Sequence, residues 1–442
     1  MSPARGVDIA GILDRRPVSA FQWMIFTLCS LCLIMDGFDV QSIGYIAPAL
    51  VRDWHIPNSV LGPVFSAALV GVLFGSLLFS TLADRIGRRP VLIAGAFYFS
   101  LLTLLTAGVR SIDELLIVRF FAGLGLGGMM PNAMALVGEY SPKRLRVAAM
   151  MAASCGFTGG AALGGFLSAW LIPAFGWRSV FLFGGAIPLV IATLMLFFLP
   201  ESLKFLVMRG RDRGRIIASL QRIDPQLTFG PDDHFQESEE KREGMPAIYL
   251  FREGRSVVTV LLFVVNFMNL LNLYFLSSWI PTIVRDAGYS ATIAVLVGAA
   301  GPAGGTVGAL GNSWLIGRFG FVRALSAVFV VGCLSIGFIG QPFLSLALLV
   351  VSVFVAGWCV PGAQPGINAL AAVYYPTYLR STGIGWGLGI GRLGAIAGPI
   401  LGGVLIAHHW ATRDVFLAAA VPAAISALAT FALRGAMREP AA

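Results

Sequence analysis

The sequence predicts an all-α membrane protein with twelve transmembrane helices, arranged as two pseudo-symmetric six-helix bundles. Of its 442 residues, 57% are hydrophobic and only 12% are charged, about half the charged fraction of soluble domains. The mean hydropathy is +0.82. Apolar stretches of roughly 20 residues, long enough to cross a bilayer as a helix, recur along almost the whole chain. They do not alternate in polarity, as the short strands of a membrane β-barrel would.

Six apolar stretches precede a polar segment and six follow it, and we number them helix 1 to helix 12. The first six lie near residues 22–48, 60–82, 91–109, 114–138, 147–173 and 178–199. The second six lie near residues 257–283, 291–317, 322–340, 344–368, 382–407 and 414–433. The predicted organisation is an N-terminal segment (1–21), a first bundle (22–199), a linker (200–256), a second bundle (257–434) and a tail (435–442).

Lysine and arginine concentrate on one side of the predicted bundle. If both termini lie in the cytoplasm, most of these residues fall in cytoplasmic loops, as the positive-inside rule requires. The net charge of +9 is therefore an orientation signal and does not indicate nucleic-acid binding. We expect a monomeric, multi-pass protein of a bacterial-type inner membrane, with no cleaved signal peptide. The linker is expected to carry some amphipathic helix at the cytoplasmic surface.

Cofactor and enzyme chemistry find no support in the sequence. The five cysteines all lie in apolar runs and do not form a disulfide framework, and the four histidines do not form a metal cluster. The glycine-rich "GLGLGG" lies inside a predicted span, whereas a phosphate-binding loop joins a strand to a helix. We expect no metal, no nucleotide and no enzymatic activity.

The two predicted bundles repeat one another in sequence. "GEYSPKRLR" (138–146) aligns with "AVYYPTYLR" (372–380), which matches Arg146 with Arg380. Upstream, Gly128 falls on Gly362 at the same offset. Related halves of this kind typically hold a substrate near the membrane midplane and rock around it.

Three motifs resemble those of the major facilitator superfamily. "GSLLFSTLADRIGRRP" is similar to its loop 2–3 signature, "RFFAGLGLGG" to its helix 4 signature and "PESLKFL" to the segment after helix 6. Within the superfamily, "DGFDVQSIGYIAPAL" resembles the helix 1 signature of the aromatic acid:proton symporters, which include the hydroxybenzoate permeases. The resemblance covers essentially the whole chain. It implies the major facilitator fold and uptake of a small aromatic carboxylate for catabolism, driven by the proton gradient.

Two carboxylates in helix 1 are the predicted proton-coupling groups. Asp36 lies roughly 18 Å and Asp39 roughly 14 Å below the outer end of the helix, at about 1.5 Å per residue. Three residues apart, they share one helix face, and they repel one another when both are ionised. A charged Asp at this depth costs about 3 kcal/mol. A carboxylate that alternates between neutral and charged forms is what a proton carrier needs; the alternative is that one Asp is structural, beside Gly37.

Two arginines within the spans are candidate partners. Arg392 lies roughly 16 Å into helix 11 from the cytoplasmic end, near the midplane. Its planar guanidinium matches a carboxylate in two-pronged fashion, so we predict that it binds the substrate anion; a fixed ion pair is the alternative. Arg119 lies roughly 8 Å into helix 4 from the outside, within reach of Asp39. For Arg119, structural pairing or gating is favoured over direct binding.

Amides and aromatic side chains complete the predicted substrate site, with helix packing as the alternative for each. These further candidates are Asn269, Asn272, Tyr274, Phe38, Trp358, Gln364 and Trp386. Charged residues at the cytoplasmic ends of the first bundle are predicted to gate: Asp84, Arg85, Arg88, Glu139 and Arg146. We expect Asp84 to form a latch, with Arg146 as a candidate partner, and Glu139 to pair with Arg146 or Arg144.

Other functions stay open at this point. A different organic acid or a sugar could be the substrate, and drug/proton antiport or a non-transporting membrane sensor are further alternatives. Helix 5 reads "GFTGGAALGG" and lacks the proline of the Gly-Pro-rich antiporter signature, which weakens the export alternative. A sensor would be favoured by a large regulatory domain, for which the sequence has no candidate.

Overall fold

A computed structural model describes residues 6–209, 213–230, 234–236, 247–342, 344–376 and 378–436. Most of the predicted tail and much of the acidic-basic part of the linker lie outside these residues. Within them, twelve helices are long and apolar enough to cross a membrane, which confirms the twelve predicted spans. Helices 1 to 6 are Ala20–Trp54, Asn58–Ile86, Arg88–Thr106, Ile112–Tyr140, Lys143–Phe175 and Arg178–Phe198. Helices 7 to 12 are Ser256–Asp286, Ala291–Phe319, Phe321–Ile339, Leu346–Tyr374, Thr382–Ala407 and Thr412–Ala436.

Several helices extend beyond their apolar stretches, because polar ends are stabilised by local hydrogen bonds. Helix 1 begins at Ala20 with a capping box: Ser19 Oγ accepts from the Gln22 N–H at 3.3 Å, and Gln22 Oε1 accepts from the Ser19 N–H at 2.8 Å. Helix 10 runs to Tyr374, so its predicted end at residue 368 was wrong.

Helices 4 and 10 are both interrupted. Helix 4 breaks at Gly127–Gly128, and helix 10 breaks at the single turn Pro361–Ala363, which contains Gly362. These are the positions that the sequence repeat aligns. Glycine weakens a helix interior and proline removes a backbone donor, so the corresponding helix of each bundle is interrupted there.

Glycines bring helices 1 and 5 into backbone contact. A Cβ at Gly37 would lie 1.8 Å from the Phe157 carbonyl oxygen, and a Cβ at Gly160 would lie 1.9 Å from that of Ile34. Neither position has room for any side chain, which is typical of close helix packing in membranes. This contact sets the rotation of helix 1, and therefore the directions of the carboxylates on either side of Gly37.

The linker divides between the two bundles. Its helices Leu203–Arg209 and Arg213–Ile223 pack with the N-terminal segment against the first bundle. Strand Gly6–Asp8 pairs in parallel with strand His234–Gln236 of the linker, and Arg16 forms an ion pair with Asp224. Leu250, by contrast, accepts a hydrogen bond from Thr259 Oγ1 of helix 7 at 2.8 Å and packs in the second bundle.

The two bundles contact each other towards one end of the molecule. We call the end that carries the linker the linker side and the other end the far side. At the far side, Asn58 donates to Asp286 at 2.6 Å and Ser66 to the Ile396 carbonyl at 3.0 Å. Gln41 donates to the Ser277 carbonyl at 2.7 Å, also in the far half. Thr306 donates to Thr158 at 2.9 Å near mid-depth. The bundles are therefore closed against each other from mid-depth to the far side.

Candidate functional site

Asp39 and Arg119 form a buried, two-pronged ion pair. Arg119 Nη1 donates to Asp39 Oδ1 at 2.9 Å and Nη2 to Oδ2 at 2.7 Å, and both side chains are at most 1% exposed. Thr103 adds a weaker bond to Oδ1 at 3.3 Å, and the guanidinium lies 5.6 Å from the centre of the Phe181 ring. The predicted partners thus meet inside the first bundle. Thr103 and Phe181, which support them, were missed because neither stands out in sequence.

Asp36, one turn away, has no such partner. It is 6% exposed and makes no hydrogen bond or ion pair with the residues that the structure describes. It interacts electrostatically with Asp39 and, across the bundle interface, with Arg392 of helix 11. A buried carboxylate is costly when it is charged and unpaired. Asp36 therefore differs from Asp39 in having no fixed partner among the described residues.

Arg392 and Tyr274 face Asp36 from the second bundle. Both interact electrostatically with Asp36 and with each other. Arg392 Nη1 donates to the Val72 carbonyl of helix 2 at 2.9 Å, and this is the guanidinium's one hydrogen bond within the described residues. Because a guanidinium carries five N–H donors, Arg392 keeps donors for a further anion. The three ionisable groups meet at the interface of the bundles, near the middle of helices 1, 7 and 11.

The predicted amides lie on the same side of the second bundle. Asn269 donates to Gln364 at 2.8 Å, which links helices 7 and 10. Asn272 is buried, and its Oδ1 atom has no hydrogen-bond partner in the described structure. Gln364 thus bonds helix to helix and is itself half-buried, and the substrate contact of these amides stays a prediction.

The structure separates three predicted aromatic candidates from this group. Phe38 is buried inside the first bundle, where its ring lies against Gly164 and Gly184. Trp358 packs between helices 8 and 10 and donates to Asn312 at 3.0 Å. Both positions favour packing over the predicted substrate contact.

Trp386 is 53% exposed and shares an exposed stripe of helix 11 with Leu393, Ile400 and Val404. Arg392 lies about a third of a turn away from this stripe, at 100° per residue. The stripe lies on a different face of helix 11 from Arg392, and the predicted substrate contact of Trp386 stays a prediction.

Glu139 is paired at the linker side. It pairs with Arg88 at 3.2 Å and accepts from Ser202 Oγ at 2.5 Å, and its predicted pairing with Arg146 or Arg144 stays a prediction. Glu201, of "PESLKFL", caps helix 3 by accepting from the N–H groups of Arg88 and Arg89 at 2.9 and 3.1 Å. Glu201 was not among the predicted site residues, because it lies more than 100 residues from helix 3 in the sequence.

The predicted latch of Asp84 is not formed in this conformation. Asp84 is exposed and makes no hydrogen bond with the described residues. Arg85 is also exposed, and its carbonyl accepts a bond from Arg209. Arg146 is engaged at the start of helix 5, so Asp84 and Arg146 stay predicted gating residues for another conformation.

Metal chemistry has no site among the described residues, since no group of three or more His, Cys, Asp or Glu side chains could hold an ion there. The five cysteines are free thiols.

Comparison with known proteins identifies close relatives along nearly the whole chain. The 4-hydroxybenzoate transporter PcaK of Pseudomonas aeruginosa is 41% identical over 96% of this chain and 95% of its own length. A gallate transporter of Pseudomonas putida is 40% identical over 96% and 95%. The benzoate transport protein of Acinetobacter baylyi is 32% identical over 97% and 93%.

Solved structures agree on the fold. The xylose transporter XylE from E. coli, in a partially occluded inward open conformation, aligns with a TM-score of 0.72 over 93% of this chain and 97% of that chain, at 16% identity. A family model of the Major Facilitator Superfamily matches residues 29–207 and 262–442. The motif resemblance is thereby confirmed: the chain belongs to the major facilitator superfamily, as a multi-pass membrane transporter and not an enzyme.

Proposed function

We propose that this protein is a proton-coupled importer of small aromatic carboxylates, which binds the substrate anion at Arg392 and the coupling proton at Asp36. The observation that carries the proposal is the group formed by Asp36, Tyr274 and Arg392 at the bundle interface. Relatives that are 32–41% identical are named as transporters of 4-hydroxybenzoate, gallate and benzoate. A cation with free donors facing an unpaired carboxylate suits a substrate of that class.

The electrostatics of this group supply a coupling mechanism. While Asp36 is ionised, it competes with a substrate carboxylate for the positive charge of Arg392. Protonation of Asp36 removes the competing anion, so the affinity of Arg392 for the substrate rises. By thermodynamic linkage, bound substrate favours proton binding equally. When the proton leaves on the cytoplasmic side, Asp36 competes for Arg392 again and the substrate is released.

The contacts between the bundles support the proposal of alternating access. We assign the linker side to the cytoplasm, since most lysines and arginines lie there. The described conformation is then closed to the outside. Opening to the outside requires the contacts at Asn58, Ser66 and Gln41 to break. Arg392 also joins helix 11 to helix 2 by its hydrogen bond to the Val72 carbonyl. A substrate carboxylate that binds this guanidinium would compete with that hydrogen bond and weaken it.

Uptake of 4-hydroxybenzoate into proteoliposomes, with and without an acidic exterior, tests the proposal. Asp36→Asn keeps the size of the side chain but cannot exchange a proton, so accumulation against the gradient should be lost while substrate exchange is retained. Arg392→Gln should raise the KM by about 10- to 100-fold, the effect of losing hydrogen bonds to a charged group. Arg413→Gln, at the exposed far end, is the matched control.

Full accumulation by Asp36→Asn would exclude Asp36 as the proton carrier. An unchanged KM in Arg392→Gln would exclude Arg392 as the substrate anchor. Wild-type protein that takes up no aromatic acid under either condition would refute the proposed substrate class.

A further inference from the structure

Four side-chain amides form one hydrogen-bonded group between helices 7 and 10, which we call the amide cluster. Asn269 donates to Gln364 Oε1 at 2.8 Å. Gln364 Nε2 donates to Asn266 Oδ1 at 3.0 Å and to Asn368 Oδ1 at 3.3 Å. All four side chains are neutral, so the cluster offers directional hydrogen bonds without charge. It suits an uncharged polar group better than a second anion.

The cluster lies close to the carboxylate anchor. Asn266 Nδ2 would be 3.3 Å from a Cβ at Gly387 of helix 11. Gly387 precedes Arg392 by five residues on the same helix, about 8 Å along its axis. Gln364 and Asn368 are half-buried, whereas Asn266 and Asn269 are buried. The accessible edge of the cluster is therefore formed by Gln364 and Asn368, roughly one and a half helical turns from Arg392 towards the linker side.

Hydrogen-bonding capacity is left over in this cluster. Asn269 Oδ1 is buried and has no partner in the described part of the chain. Gln364 Oε1 accepts one bond of the two that an amide oxygen can accept. Asn368 accepts a bond but donates none to the described residues. Buried polar atoms are normally satisfied, and exceptions point to a missing water or ligand.

We propose that the amide cluster recognises a ring hydroxyl of the substrate and so makes the transporter selective for hydroxylated aromatic acids over unsubstituted benzoate. This inference rests on the proposed function, because it takes Arg392 as the carboxylate anchor. A phenolic hydroxyl is one donor and one acceptor. It donates to Gln364 Oε1 and accepts from Asn368 Nδ2. Benzoate offers neither group, so its binding leaves both amides without a hydrogen-bond partner from the substrate.

The test compares the KM values of 4-hydroxybenzoate and benzoate in the same proteoliposomes. Wild-type protein should prefer 4-hydroxybenzoate by about 10- to 100-fold, because an analogue without the hydroxyl leaves polar groups unpaired. Gln364→Leu should remove most of this preference by weakening 4-hydroxybenzoate uptake, with benzoate uptake maintained. Gln341→Leu is the matched control, since this amide bonds to the Gly337 carbonyl at 3.1 Å, outside the cluster.

Equal losses for both substrates in Gln364→Leu would overturn the inference, because the cluster would then only hold helices 7 and 10 together. Asn368→Ala, at the half-buried edge, provides the second variant if Gln364→Leu does not reach the membrane. An unchanged preference in a folded variant, or wild-type protein with no preference, would also overturn it. In each of these cases, measurable uptake of both acids would leave the proposed function intact. Failure of this inference can therefore be distinguished from failure of the proposed function.

Discussion

At the scale of single residues, two aspartates three positions apart have different surroundings. Asp39 is tied to Arg119 by two hydrogen bonds and buried, whereas Asp36 faces Arg392 across the interface without a hydrogen bond to the described residues. The sequence assigns a proton-coupling role to both aspartates, and we propose it for Asp36, because Asp39 has a fixed partner that joins helices 1 and 4.

Breaking the buried pair should destabilise the protein more than breaking a surface pair. Asp39→Asn leaves Arg119 charged in a buried site, which should cost about 3–5 kcal/mol. Asp53→Asn removes an exposed partner of Arg178, at 3.4 Å, and should cost about 0–1 kcal/mol. Thermal unfolding of the purified protein in detergent measures the difference. Equal melting temperatures for the two variants would contradict the structural role of Asp39.

At the scale of helices, the contact between helices 1 and 5 depends on the absence of a side chain at Gly37 and at Gly160. Gly37 and Gly160 contribute flat surfaces, so that a backbone carbonyl of the partner helix fills the space of a Cβ. A side chain of one carbon atom is enough to force these helices apart. Asp36 and Asp39 lie next to this contact, so their alignment with Arg392 and Arg119 depends on it.

Neighbouring glycines on helix 5 provide a sharp comparison. Gly160→Ala would place its methyl group 1.9 Å from the Ile34 carbonyl oxygen, and should destabilise the protein by about 1–3 kcal/mol. At Gly159 a Cβ meets nothing within 4 Å, so Gly159→Ala should be neutral or slightly stabilising, since alanine loses less backbone entropy than glycine. Melting temperatures in detergent and the yield in the membrane report the effect. Two variants of equal stability would disprove the close packing.

At the scale of the whole molecule, the two bundles are joined at the far side. Asn58 and Asp286 are hydrogen-bonded across this junction at 2.6 Å. If transport requires the junction to open, a covalent link at this point must stop it. A link of similar length within one bundle should have no such effect, because it does not join the two bundles.

Paired cysteines test this distinction in a variant without the native cysteines. Cross-linking Asn58→Cys to Asp286→Cys should block uptake, and reduction of the link should restore it. The control joins Asp53→Cys to Arg178→Cys, both on the far side of the first bundle, where the native side chains are 3.4 Å apart. Continued uptake by the cross-linked Asn58–Asp286 pair would show that transport does not need this junction to open.

Features that depend on local composition could be predicted from the sequence. The twelve spans follow from apolar length, and the meeting of Asp39 with Arg119 follows from their similar depth. The direction of each side chain around its helix could not be predicted, because the rotation of a helix is set by the neighbours it packs against. For this reason Phe38 and Trp386 looked like ligand contacts in the sequence, although Phe38 faces the core of its own bundle and Trp386 an exposed stripe.

Contacts between a side chain and the main chain were the second class to escape prediction. The bond from Arg392 to the Val72 carbonyl and the capping of helix 3 by Glu201 both join a side chain to the main chain. Sequence patterns identify side-chain types but not the carbonyl or N–H group that a fold brings to them. The breaks in helices 4 and 10 could be predicted only in part. Their glycines are visible in the sequence, but whether the helix is interrupted there also depends on packing.

The division of the linker has a mechanical consequence. Strand His234–Gln236 packs with the first bundle, and Ala247, eleven residues after Gln236, packs with the second. A chain of this length spans at most about 40 Å. Gln236 and Ala247 can therefore never lie farther apart than this, which limits how far the linker-side ends of the two bundles can separate.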